Sequence, residues 1–180
     1  MNLIAEPVSR MQLRRLATLI RKKAGHKDTL YFPVMELLER KMPLWFRGFS
    51  FEIMPKSYFS PNIHAETDIE RKVILIREDV YLGAINGNGR DRMTIIHEIA
   101  HYILLIVNGI KLHRNFSSAK PKAFRDPEWQ AKALAGELLC PYHLIGGMAV
   151  PQIALACGVS DQAAQCHFEL RNPTARRFIY

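Results

Sequence analysis

Leu13, Leu16, Ala17 and Ile20 recur at i, i+3, i+4 and i+7, the spacing of one helix face, and predict an amphipathic helix over residues 9–23 that stops ahead of Gly25. A second, short helix is expected over 34–40, broken by Pro43. The period then changes to two: Phe49, Phe51 and Ile53 alternate with Ser50, Glu52 and Met54, the pattern of a half-buried strand. Residues 72–77, Lys-Val-Ile-Leu-Ile-Arg, are a β-branched apolar run between charges and predict a strand covered on both faces. The two strands imply a small antiparallel or mixed sheet. Residues 83–89, Gly-Ala-Ile-Asn-Gly-Asn-Gly, lack the Lys-Ser/Thr ending of a phosphate loop and the dinucleotide glycine spacing, so they read as a turn.

From Asp91 the period returns to 3.6. Met93, Ile96, Ile99, Ala100, Ile103, Leu104 and Val107 make a broad apolar stripe over 91–108, with Asp91 as candidate N-cap and Gly109 as the stop, so this helix is expected to be buried. After a basic connection, Asp126-Pro127 supplies a cap residue and a first-turn proline for a helix ending before Pro141. Two shorter helices are expected over 151–157 and 161–171, joined at Gly158-Val159-Ser160. These elements predict an α+β fold with helical N- and C-terminal segments.

With 180 residues, 48% hydrophobic and 23% charged, the chain fits one domain with a real core better than two folds, and neither a disordered tail nor a fibrous repeat. No run approaches the roughly 18 uncharged apolar residues of a membrane span. The first 15 residues lack a secretory signal's apolar core, so a cytoplasmic address is expected. Cys140, Cys157 and Cys166 show no C-x-x-C spacing, which supports neither a disulfide framework nor a cysteine zinc cage. The net charge of +8 favours an acidic partner, whether nucleic acid, a lipid surface or protein. Seven basic residues fall within 10–27 and five within 111–125, although such runs are commonly just solvated faces.

The buried helix contains His97-Glu98-Ile99-Ala100-His101, an H-E-x-x-H sequence. Histidines four apart share a helix face, close enough for both imidazoles to reach one metal ion. A shuffled chain of this composition would contain the pattern with a probability of about 0.016. Two satisfied core histidines would also leave Glu98 with an unexplained cost, because a carboxylate beside a buried stripe is expensive unless paired. A catalytic zinc site usually has three protein ligands, so a third is needed. His113, Asp126, Glu128, Glu137 and His143 are candidates. Glu128 is favoured because it shares a helix direction with Ala131, Ala135 and Leu138, small residues that allow close approach to the histidine helix. A first-turn acid complementing the helix dipole is its ordinary alternative role.

Two blocks carry a resemblance: Thr94-Ile-Ile-His-Glu-Ile-Ala-His-Tyr-Ile103 and Glu128-x-x-Ala131-x-x-Leu134-Ala135-x-Glu137-Leu138-Leu139-Cys140-Pro141. In order and spacing they are similar to the T-x-x-H-E-x-G/A-H-Y and E-x-x-A-N-x-F-A-x-x-L-L-M-P blocks of the ImmA/IrrE family of bacterial and phage zinc metallopeptidases. The resemblance covers roughly 50–145, and 151–171 looks like that family's C-terminal segment. It implies a single zincin-like metallopeptidase domain over 1–180, with zinc held by His97, His101 and Glu128. It also implies Glu98 as general base toward a zinc-activated water. The implied substrate is a helix-turn-helix repressor, often encoded beside such peptidases on mobile elements. Nothing chooses an oxyanion donor among Tyr102, His113, Tyr142 and His143. Strand addition along 73–76 is a possible mode of substrate binding.

Three positions depart from the family pattern: Lys132 stands for Asn, Leu134 for Phe and Cys140 for Met. Lys132 matters most, because an ammonium cannot accept a hydrogen bond from a ligand histidine as an amide oxygen can. Two other readings compete. Residues 154–170 look like a helix-turn-helix, which with the positive charge suggests DNA binding, although 161–171 carries few cations. A metal-bound, non-catalytic interaction module is the other.

Overall fold

The computed structural model describes the backbone of residues 2–107, 112–115 and 121–172, and the side chains of 4–106 and 121–172. Two antiparallel strands, β1 (Asn2–Ala5) and β5 (Leu112–Asn115), pair with each other. The larger sheet has the order β2–β4–β3, with β2 (Ser50–Met54) parallel to β4 (Val73–Arg77) and β3 (Ala65–Asp68) antiparallel to it. Every residue of β4 is buried, as its apolar run predicts for a central strand. β2 departs from the expected alternation. Ile53 is exposed, while Met54 packs on the small cluster of Phe59, Val73 and Leu75.

Helix α1 (Arg10–Ala24) starts at a capping box made by Ser9 and Gln12 and ends at left-handed Gly25, φ 87°. The next helical stretch is longer than expected. It runs through α2 (Val34–Glu36), a wide π turn (Leu37–Lys41) and α3 (Met42–Trp45), and Pro43 lies inside it. Proline breaks a helix by clashing with the carbonyl four residues back. Here the wider turn precedes it, with the amide of Met42 donating to Leu37 O, five residues away.

The expected turn at 83–89 is largely helical. Gly83 belongs to α4 (Glu78–Ile85), only residues 86–88 connect, and Gly89 already opens α5 (Gly89–His101). Asn88, and not Asp91, caps α5: its side chain accepts from the amides of Arg90 and Asp91. Asp91 instead sits against Gly83, where a Cβ would meet its carboxylate. Past His101 the chain widens into a π turn (Tyr102–Val107), while Asn108 and the expected stop Gly109 lie outside the described residues. Helix α6 (Pro127–Leu139) is capped by Asp126 as the sequence predicts and ends at Cys140. The expected C-terminal pair follows as α7 (Val150–Cys157) and α8 (Asp161–Arg171), joined through left-handed Gly158.

The core lies among α1, α5, α6 and β4, where Leu13, Ile74, Ile95, Ile99, Leu134 and Leu138 are all closed to solvent. Two arginines are buried within it. Arg21 donates to the carbonyls of Leu138 and Thr29. Arg92 donates to those of Phe32, Cys157 and Gly158. Carbonyls at helix ends and loops have orphan lone pairs, so each guanidinium satisfies several and ties α1 and α5 to the segments around them. Among the described residues no helix is long and apolar enough to cross a membrane.

Candidate metal centre

His97 and His101 lie one turn apart on the last half of α5, whose Ile95, Ile96 and Ile99 are fixed in the core. The imidazoles therefore emerge from a rigid face. Their Nε2 atoms are 3.1 Å apart and their rings nearly perpendicular. Helix α6 packs against α5 through Ala131, Ala135 and Leu138, all without exposed surface, and this close approach brings Glu128 of the first turn of α6 to the histidines. Glu128 Oε2 lies 3.3 Å from His97 Nε2, and Oε1 lies 3.2 Å from His101 Nε2.

The two imidazole–carboxylate approaches run to different oxygens of Glu128, and with the 3.1 Å between the imidazoles they are of the order of the about 3.3 Å between ligand atoms on a tetrahedral ion with bonds of about 2.0–2.1 Å. Two imidazoles and a carboxylate are also the donor chemistry that divalent ions take. His97, His101 and Glu128 could therefore hold a metal, with ligand atoms that all lie within 4.8 Å of one another.

Glu98 sits beside them, and its side chain is shielded. Burial pushes its carboxyl above the ordinary carboxylate range, against the opposing pull of the two histidines and of Thr67. Thr67 of β3 donates to Glu98 Oε2 at 2.8 Å and lies 3.0 Å from the Glu98 carbonyl oxygen. Hydrogen bonds from His101 and His97 hold Glu128 far below the usual range. Burial disfavours the cation at His101, but the bond it donates to Glu128 and the charges of the nearby acids outweigh it and raise the net affinity for a proton. The site opens into a cavity of about 340 Å³ that Ile63, Ile69, Leu105 and Pro127 also line.

The other candidate ligands lie elsewhere. Asp126 caps α6. Glu137 is buried between Arg10 and Arg14. His143 Nε2 lies 3.2 Å from the carbonyl of Lys27. The side chain of His113 lies outside the described residues. Of the candidate oxyanion donors, Tyr102 is buried against Phe46 and Phe49, and Tyr142 lies between the guanidinium groups of Arg14 and Arg171. The strand at 73–76 cannot receive a substrate edge because β4 is central. Among the described residues the unpaired edge near the site belongs to β3. Thr67 was not signalled by the sequence: Ala-Glu-Thr-Asp carries no apolar alternation that would announce a strand.

No protein-family model matches the chain, and no curated protein matches its sequence. Among solved structures it is similar in fold to a Mycobacterium tuberculosis transcriptional regulator, with a TM-score of 0.57 and 13% identity. The match covers 88% of this chain and 46% of that one, so the chain spans less than half the length of this structural neighbour.

Proposed function

We propose that the chain is a zinc-dependent endopeptidase with a zincin-like fold, akin to the ImmA/IrrE peptidases, that cleaves a regulatory protein of the helix-turn-helix repressor class. One observation carries this reading: His97, His101 and Glu128 bring ligand atoms within 4.8 Å of one another, with a shielded carboxylate, Glu98, alongside them in a cleft. His97, His101 and Glu128 would hold the ion, which when bound supplies Lewis acidity to a water molecule and to the scissile carbonyl. Glu98 accepts a proton from the attacking water and passes it to the departing amide nitrogen. Its raised proton affinity makes Glu98 a stronger base than an exposed carboxylate. Thr67 engages one carboxylate oxygen and leaves the other for the water. The edge of β3 offers unpaired backbone to an extended substrate segment.

Metal content tests the proposal. Protein purified without chelator should hold one equivalent of zinc, Glu98→Gln should keep it and Glu128→Ala should lose it. Wild type that holds none and takes up none on zinc titration defeats the peptidase reading.

The name of the structural neighbour, a transcriptional regulator, favours a second reading in which α7 and α8 bind DNA or the chain is a non-catalytic module. The surface of α8 argues against DNA. Its exposed positions include Asp161, Gln162 and Cys166, and Arg171 is engaged with the carbonyl and ring of Tyr142. A salt-sensitive mobility shift of duplex DNA would favour that second reading.

A further inference from the structure

Lys132 departs from the family pattern, and the mechanism gives it no task. It follows Glu128 by one turn of α6, is exposed, and has no hydrogen-bond or ion-pair partner among the described residues. It lines a second cavity of about 280 Å³ with Arg90, Met93, Thr94 and His97. Because His97 lines this cavity and the one beside β3, the two flank the ligand triangle. Lys132 also borders a third cavity, of about 370 Å³, which Arg10, Trp129 and Cys166 line toward α8. The cavities thus follow one another from β3, past the triangle, to α8.

The two sides differ in chemistry. Toward β3 the walls beyond the histidines, Glu98 and Glu128 are Ile63, Ala65, Ile69, Leu105 and Pro127, with Glu66 and Thr67 of β3 the polar residues among them. Toward α8 they carry Arg90, Lys132 and Arg10 against one acid, Glu169, which accepts from Gln165 Nε2 at 2.7 Å. Arg90 lies 3.3 Å from His64 Nε2, and Arg10 is paired with buried Glu137. Among the described residues Lys132 is left as an ammonium without a partner, one turn from Glu128.

We propose that Lys132 is a specificity-determining residue: it receives the carboxylate of an Asp or Glu that the substrate carries on the α8 side of the scissile bond, while the β3-side cavity receives an apolar side chain. The inference rests on the peptidase reading for the location of that bond, but recognition itself is a binding property and is measurable without turnover. A carboxylate placed here would meet an ammonium that no described residue engages, at the partly screened strength of a surface pair.

The test uses zinc-loaded, full-length Glu98→Gln protein, immobilised and offered acetylated, amidated octapeptide pools in which one position at a time is fixed as Glu, Lys, Leu or Ser. Retained peptides are counted by mass spectrometry. Glu pools should be retained about fivefold better than Lys pools at one or two positions. Added Lys132→Ala should remove that preference, Lys132→Glu should invert it, and the Leu preference should persist in both. Lys132 is exposed, so both variants should melt like the parent. Equal retention of Glu and Lys pools overturns the assignment. So does a Glu preference that survives Lys132→Glu, because it would belong to the metal. If the preference follows Lys132 but wild type cleaves none of the retained peptides, the peptidase reading fails alone and Lys132 stands as an anchor for acidic segments. Cleavage without a Lys132-dependent acid preference sinks this inference and spares the peptidase.

Discussion

Helix α6 carries two glutamates nine residues apart, and nine residues at 100° each put Glu128 and Glu137 on opposite faces. Both are plausible metal ligands from sequence, yet their surroundings differ in kind. Glu137 is 2% exposed and takes Arg10 Nε and Arg14 Nε, each at 3.0 Å, on its two oxygens. Glu128 is 70% exposed and faces two imidazoles. Burial alone would point to Glu137, whereas the group that could hold a metal contains Glu128. A guanidinium is permanently charged and carries no lone pair for a metal, so it consumes its carboxylate in holding α1 to α6. A neutral imidazole offers a lone pair, and a carboxylate beside two of them completes a cation site.

Exchanging the fates of the two acids is the most direct way to break this contrast. Glu137→Ala leaves two arginines without their acceptor at a buried position, and because both are partly exposed and can turn to water, a loss of about 2–4 kcal/mol of unfolding free energy is expected. Zinc stoichiometry should not change. Glu128→Ala should do the reverse, weakening zinc binding by at least about a hundredfold while the metal-free protein keeps its stability to within about 0.5 kcal/mol. Denaturant unfolding and zinc titration of both variants decide it. Zinc lost from Glu137→Ala at full folding would erase the distinction.

The Glu137 side of α6 should also be the acid-sensitive side. His167 of α8 is buried against Gly136, where a Cβ would strike its ring, and desolvation, reinforced by Arg10, pushes it down to about 4. In the unfolded chain the same imidazole titrates near 6.5. Between these values the unfolded state binds the proton that the folded state refuses, so stability is intact above about pH 6.5 and falls as pH drops toward 4. The expected loss is about 2–3 kcal/mol across that window, and His167→Gln should remove that share. Guanidinium melts of wild type and His167→Gln at pH 7 and 4.5, run with chelator so that metal release does not contribute, would measure it, because the pH dependence of His101 and Glu128 is common to both proteins and cancels in the difference. An unchanged acid slope in His167→Gln would move the sensitivity elsewhere.

What could be read from the sequence divides along the same line between local and tertiary causes. The histidine pair is a local fact, because helical spacing alone puts residues four apart on one face. The start of α6 is equally local, since Asp126 and Pro127 are a cap and a first-turn residue wherever they fall. β4 was legible because an unbroken apolar run has to be covered on both sides. The remaining features are set by partners distant in sequence. Asn88 prevails over Asp91 as the cap of α5 because α4 extends to Ile85 and the side chain of Asp91 is held against Gly83. Pro43 is tolerated because a π turn precedes it. β3 is an edge strand with polar residues, so it has no periodic signature, and Thr67 could be linked to Glu98 only after β3 had been placed against α5.

Glu98 extends the comparison to a third acid, buried with no arginine partner among the described residues and bonded by a neutral hydroxyl. Thr67→Val keeps the shape of the side chain and removes the donor to Glu98 Oε2. A hydrogen bond to a charged group contributes about 1.5–3 kcal/mol, but water entering the cleft would replace part of it, so for the proposed peptidase about a tenfold fall in kcat is expected with KM and zinc content unchanged. The pH profile separates this from mere loosening. Thr67 favours the ionised form of Glu98, so losing it raises the proton affinity of the base still further. A base works only when deprotonated, and the acid limb of kcat/KM should therefore move to higher pH in Thr67→Val and return in Thr67→Ser. An equal fall in both variants, with the acid limb fixed, would make Thr67 a packing residue and leave Glu98 positioned by α5 alone.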